Sequence, residues 1–206
     1  MNRVTYAGFV ALGLAAAAAC HGQTIVEEWA SVKAPPAPQL KPVKAAPKET
    51  ALLMLDFAKQ NCGPRPRCLA SLPKTQRLLA QARENGAHVV YSLAGKATLA
   101  DIYPEVAARP GELSVSSGPN KFLNTDLEKL LKERGIKTVI VAGTAAEGAV
   151  LNTGAAAALR GWKVIVPVDG LSSSTTYAEQ YTVWHLANAP RIGPQVTLTR
   201  SDLVSF

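Results

Sequence analysis

Six short runs of aliphatic and β-branched residues recur along this chain, at 51–55, 87–93, 112–117, 137–143, 163–170 and 195–199. A stretch of helical pattern stands in four of the five gaps between them. The run "ALLML" (51–55) has no polar alternation, so both its faces ask for burial, which is the requirement of a strand inside a parallel sheet. Repeated strand–helix order of this kind limits the chain to a three-layer α/β/α domain with a mostly parallel sheet.

The connecting segments carry their own signals. "SLPKTQRLLAQARENG" (71–86) reads as a helix with Ser71 as cap, Pro73 in the first turn and Gly86 as stop. Thr125 and Glu128 have the spacing of a capping box, Glu128 and Lys132 form an i,i+4 pair, and Gly135 ends that helix. "EGAVLNTGAAAALR" (147–160) is an Ala-rich helix able to lie close to a sheet, and 175–188 is a further helix.

Ahead of residue 49 the composition changes. Residues 33–48 hold five prolines and four lysines without a periodic apolar face, so 24–48 is expected to be an extended linker to a domain at 49–206. Before that, Arg3 precedes an apolar stretch from Val4 to Ala19, which is sixteen residues and short for a membrane span. Followed by small residues, this is the form of a secretory signal peptide occupying 1–23. Cleavage after Ala19 or within His21–Gln23 gives a periplasmic or secreted protein. Cys20 leaves open a lipoprotein with a lipid anchor at that residue, although Ala17 stands where Leu is usual.

Export bears on the cysteines. Cys62 and Cys68, in "CGPRPRC", are the pair outside the leader, and an oxidising compartment favours a disulfide between them. Arg65 and Arg67 lie inside that loop, either as solvated surface charge or as recruiters of an anionic ligand. The net charge is +7, of which residues 1–48 supply a surplus of three, and the rest is dispersed. Without a basic patch interleaved with aromatics, nucleic acid is not an expected partner. With three histidines, one of them in the leader, neither a metal site nor a cofactor is expected. Tyr177, Tyr181 and Trp184 share one helical face suited to core or dimer contact.

In open parallel sheets ligands collect beyond the carboxyl ends of the strands. Asp56, the turn from Gly143 to Ala149, the segment 114–121 and Asp169 should all lie near that edge. Asp56 follows the first apolar run directly, so its carboxyl is placed at the edge of the core to give or take a proton. An Asp bracing a neighbouring loop is the alternative. Glu147, at a helix start, is accounted for by the helix dipole, with an acid–base role the alternative.

The ordered set "ALLMLDFAKQN", "F-x-x-T-D-L" at 122–127, "GIKTVIVAG" at 135–143 and "VDG" at 168–170 resembles the isochorismatase-like cysteine hydrolase family, which includes nicotinamidases, carbamoylsarcosine amidohydrolases and isochorismatases. The similarity covers about residues 49–206. It implies the α/β fold and a triad of Asp, Lys and Cys. By that resemblance the Asp is Asp56, the Cys position is Ala149, and the Lys position falls on Ser116, with Lys121 displaced from it. It also implies a non-proline cis peptide before the turn, at Ala145–Ala146, and an anion pocket built from the N–H groups of Ala146 and Ala149. Ser116 and Lys121 are then expected to bind substrate. Metal-binding relatives carry Asp-x-His after the second strand, where this chain reads "SLAGKATLAD".

Isochorismatase members carry a small residue at the Cys position and cleave an enol ether by protonation and water addition. The resemblance thus implies a hydrolase of a small metabolite that uses Asp56 without a thiol, and the N-terminal segment makes it an exported one. A non-catalytic small-molecule-binding or scaffold protein is the competing reading. Relatives associate through helices, which makes a homo-oligomer an expectation.

Overall fold

A computed structural model describes residues 24–206. The signal peptide expected at 1–23, with Cys20, lies outside the described residues. The chain divides into two units, ending and beginning at Pro36 and Ala37. In the first, Thr24 caps the helical turn α1 (Ile25–Glu28) through a capping box with Glu27.

The second unit is built on a seven-stranded sheet, all of whose pairings are parallel. Its main strands are β2 (Thr50–Leu55), β3 (His88–Leu93), β4 (Leu113–Ser116), β5 (Thr138–Thr144), β6 (Lys163–Pro167) and β8 (Val196–Thr199), in the order β4-β3-β2-β5-β6-β8. The short β7 (Leu171–Ser172) pairs with the end of β5. Every residue of β2 is buried. Ala51, Leu53 and Leu55 enter one apolar layer with Val139, Val141 and the helices α4 (Leu127–Glu133), α5 (Leu151–Leu159) and α6 (Thr176–Asn188). Leu52 and Met54 enter the other, beneath α3 (Pro66–Glu84). The period-two alternation of a strand thus fills both layers.

Four sequence expectations shift. The helix expected at 71–86 begins earlier, at Pro66, because Pro66 takes the first helical position with Arg65 as cap. Ser71 is inside it, donating to the Cys68 carbonyl, and Pro73 is in its interior. The stretch expected as linker through Lys48 joins the domain from Ala37. The Lys41 N–H donates to the Leu198 carbonyl (3.0 Å), and β1 (Val43–Lys44) pairs in parallel with β9 (Val204–Ser205). At 125–128 no reciprocal capping box forms. Thr125 Oγ1 accepts from the Leu127 N–H, while Glu128 turns outward to Lys132 (2.6 Å) and Arg160 (2.9 Å). The strand expected at 163–170 stops at Pro167, after which a turn delivers β7 to the edge of the site.

Two features fix the loops bordering that edge. Cys62, the last residue of the one-turn helix α2 (Lys59–Cys62), forms a disulfide with Cys68, and both are fully buried. Closing this short loop stabilises the fold by about 2 kcal/mol in the chain-entropy view. On the other side, Arg83 grips Glu112 with two hydrogen bonds (2.8 and 2.7 Å) and donates to Tyr91 Oη (3.1 Å). Tyr91 in turn donates to the Val106 carbonyl (2.8 Å), and burial pushes its phenol up from the ordinary value. The loop that leads into β4 is thereby tied to β3.

Candidate active site

The site lies beyond the carboxyl ends of β2, β3, β4 and β5. Asp56 adopts a left-handed backbone (φ 57°), which Asp tolerates better than most residues. Its N–H donates to the Ser92 carbonyl (3.2 Å), and Ser92 Oγ donates back to Asp56 Oδ1 (2.7 Å). The other carboxylate oxygen, Oδ2, accepts from Lys121 Nζ at 2.8 Å. The Lys121 side chain has no exposed surface and that of Asp56 has 8%. Lys121 Nζ also donates to the Ser117 carbonyl (3.2 Å). A buried ion pair of this kind persists only when further hydrogen bonds satisfy it, and here both partners have them.

Lys121 therefore corrects a sequence expectation. Five residues beyond the position expected for the family Lys, it still reaches Asp56, because the segment 117–121 folds back over α5. Thr153 Oγ1 accepts from the Lys121 N–H and donates to the Pro119 carbonyl, both at 3.2 Å, and so pins that segment. Ser116, at the expected position, is exposed at the rim. Lys121 is turned to Asp56 rather than into the open cavity, so its expected contact with substrate gives way to a contact with the acid.

The turn after β5 comes to the same place for a steric reason. A Cβ on Gly143 would overlap the Leu55 carbonyl oxygen, so only glycine lets β5 run this close to the end of β2. A non-proline cis peptide follows, at Thr144–Ala145 rather than the expected Ala145–Ala146. Residues Ala146–Val150 then form a π-helical turn that continues into α5. The carbonyl of Ala145 accepts from the N–H groups of Gly148 (3.1 Å) and Val150 (3.3 Å).

Asp56, Ala149 and Ser116 line one cavity of about 450 Å³, together with Asn61, Arg65 and the Ser117–Pro119 segment. The turn contributes Thr144, Ala145, Gly148 and Ala149. Ala146, expected to bind substrate, is fully buried in the core and is not part of this wall, because the turn puts Ala145 and Gly148 forward in its stead.

Two of the hydroxyls on the wall, those of Ser117 and Thr144, are committed to backbone carbonyls. Ser117 Oγ donates to the carbonyls of Asn120 and Leu123, and Thr144 Oγ1 donates to that of Ser172 (3.2 Å). Among the described residues no group of three or more His, Cys, Asp or Glu is gathered to hold a metal ion.

Other candidates fall outside the cavity. Asp169 accepts from the N–H (2.8 Å) and Oγ (2.9 Å) of Ser201, so it braces the turn before β9. Glu147 accepts from Ser173 Oγ (2.5 Å), and Arg67 pairs with Glu179. Tyr177, Tyr181 and Trp184 are 71%, 38% and 47% exposed, which removes them from the core. Ser92 and Thr153 were missed by the sequence reading. The available signal was a single hydroxyl residue inside an apolar strand and another inside an Ala-rich helix.

Residues 50–200 match the family model described as "Isochorismatase domain". The chain belongs to the isochorismatase family. Its similarity extends to the "Secreted isochorismatase effector Isc1" of Verticillium dahliae, with 33% identity over 113 residues, which is 50% of this chain and 60% of that protein. The matched region thus spans less than two thirds of that relative. Among solved structures, an isochorismatase-like hydrolase from Alkaliphilus metalliredigens shares the fold with a TM-score of 0.67 at 24% identity, covering 75% of this chain and 95% of the other. The nicotinamidase SaPncA from Staphylococcus aureus does so with a TM-score of 0.67 at 20% identity, covering 74% and 99%. This isochorismatase-family domain holds its acidic residue and lysine together at a cavity whose helical turn presents Ala149.

Proposed function

We propose that the protein is an exported isochorismatase-family hydrolase that acts on a small metabolite by acid–base chemistry through Asp56, with no covalent enzyme intermediate. The observation that carries this is the buried Asp56–Lys121 pair, fully hydrogen-bonded at a cavity whose turn bears Ala149. An acyl-enzyme requires a nucleophile paired with a base, and an alanine supplies none. A vinyl ether needs only a proton and a water. In this reading Asp56, ionised in its pair with Lys121, takes up a proton as substrate binds and gives it to the terminal vinyl carbon. Water adds to the resulting oxocarbenium carbon and returns a proton to Asp56, and the hemiketal collapses to an alcohol and a ketone. Lys121 offsets the carboxylate charge left after donation, and Ser92 fixes the orientation of the carboxyl.

The test is turnover of the purified mature protein beside Asp56→Asn, on a panel of enol ethers, amides and esters. Wild-type activity that falls by a factor of about 10²–10⁴ in the variant, the usual worth of general acid–base catalysis, supports the reading. Activity that iodoacetamide abolishes contradicts it. The same alanine favours a second reading, a ligand-binding protein on the hydrolase fold, which silence across the whole panel would support.

Export draws support from the secreted status in the name of the Verticillium relative and from the apolar leader. N-terminal sequencing of the mature protein separates simple cleavage from lipidation at Cys20. The exposed face of Tyr177, Tyr181 and Trp184 supports self-association of the chain. Sedimentation at two concentrations checks that.

A further inference from the structure

The cavity carries a charge that the acid–base reading does not use. Of its lining residues, Asp56 and Arg65 are ionisable, and Asp56 is already compensated by Lys121. Arg65 forms no ion pair among the described residues. One of its guanidinium nitrogens, Nη1, donates to the Asn61 carbonyl, while Nε is shielded from solvent and has no partner. Asn61 Oδ1, from a second lining residue, is likewise shielded and unpartnered. Arg65 therefore brings a positive charge with no carboxylate partner to the wall of a space of about 450 Å³ that fits one ring-sized molecule.

The loop that carries Arg65 is fixed on both sides. The Arg65 N–H donates to the Cys62 carbonyl (2.9 Å), and the Arg65 carbonyl accepts from the Cys68 N–H (2.9 Å) and the Leu69 N–H (3.2 Å). The Cys62–Cys68 disulfide closes the same loop, with Cα atoms 5.3 Å apart. Arg67, two residues on, is committed to Glu179 on the protein surface. The two arginines of "CGPRPRC" thus have different assignments, one to the cavity and one to structure.

We propose that Arg65 is a specificity-determining residue, binding the carboxylate of a small anionic ligand, and that the disulfide holds it in place for that purpose. A planar guanidinium fixed by its backbone meets a carboxylate with charge-assisted, directional hydrogen bonds, whereas an amide of the same shape offers no charge to recognise. The net positive cavity then selects monoanionic acids over neutral analogues. Opening the disulfide loosens the loop and weakens that selection.

This inference rests on the cavity being the ligand site, as under the proposed function, but it does not depend on turnover. The experiment is titration of the full mature chain with benzoate and, separately, with benzamide, followed by amide and side-chain chemical shifts around the cavity. Wild type is expected to bind benzoate at least tenfold more tightly than benzamide. Arg65→Gln should remove that preference by weakening benzoate at least tenfold more than benzamide, and Arg65→Lys should keep part of it. Arg67→Gln should retain it in full. The double variant Cys62→Ser/Cys68→Ser should fall between wild type and Arg65→Gln. Wild type binding benzoate no better than benzamide overturns the inference. So does a preference that survives Arg65→Gln, or a loss of both probes in that variant while its melting temperature is unchanged. Benzoate binding through Arg65 in a protein that turns over nothing sinks the hydrolase reading and keeps this one. Turnover of neutral substrates indifferent to Arg65→Gln does the reverse.

Discussion

The two halves of the cavity wall are built in opposite ways. On one side Asp56 reaches the cavity, and behind it Lys121 and Ser92 complete a buried polar cluster in which each carboxylate oxygen and the ammonium nitrogen has a partner. On the other side the turn from Thr144 to Ala149 brings backbone and methyl groups to the same space. The polar half is costly to bury and collapses in energy if one member is lost. The shape of the backbone half is set by Gly143 packing on Leu55 and by the start of α5. Under the proposed function the polar half moves the proton, and the backbone half only shapes the space beside it.

The strongest way to break this contrast is Lys121→Met. Removing one partner of a buried ion pair leaves the other charge uncompensated, and a loss of about 3–5 kcal/mol is expected in urea unfolding. Adding Asp56→Asn to that variant should restore part of the loss. A strictly additive pair would show that the two groups do not act as a unit. Ser92→Ala comes next. It takes away a hydrogen bond to a charged oxygen, with an expected cost of about 1.5–3 kcal/mol and a fall in kcat larger than any change in KM. Thr153→Val strips the buried Lys121 N–H of its acceptor. About 1–2 kcal/mol should be lost, with amide exchange rising first across residues 117–121.

At the other end of the scale is Ala149→Cys. Stability should move by less than about 1 kcal/mol, as expected for a small change on a cavity wall. What it should gain is a thiol that labels with iodoacetamide above the wild-type background, and an acyl-enzyme burst on an activated ester. Absence of both would mean that the turn no longer presents position 149 to the acid–lysine pair.

Much of the fold was legible because burial on both faces leaves an unmistakable record. "ALLML" and "KTVIVAG" have no place except inside a parallel sheet, and β2 and β5 are its central neighbours. The acid was legible for the same reason, standing directly after such a run. The lysine was not, since residue counting from Phe122 assumes a loop of constant path. The path here is set by Thr153, thirty-two residues from Lys121 in sequence. Long-range hydrogen bonds of that sort leave no local pattern to read. Helix starts failed for a related reason. Ser71 has the right chemistry for a cap, but Pro66 had already opened its helix at the disulfide loop.

One pairing in the fold also constrains the order in which the chain takes shape. Val43 and Lys44 lie against Val204 and Ser205, and Lys41 against Leu198, so the first stretch of the domain is held by strands synthesised some 160 residues later. Contacts so distant in sequence form late, after the sheet between them has closed the loop. While the polypeptide is still emerging, residues 41–44 have no docking partner. They are latched down once residues 196–205 arrive, and only from then on does the domain have a fixed beginning.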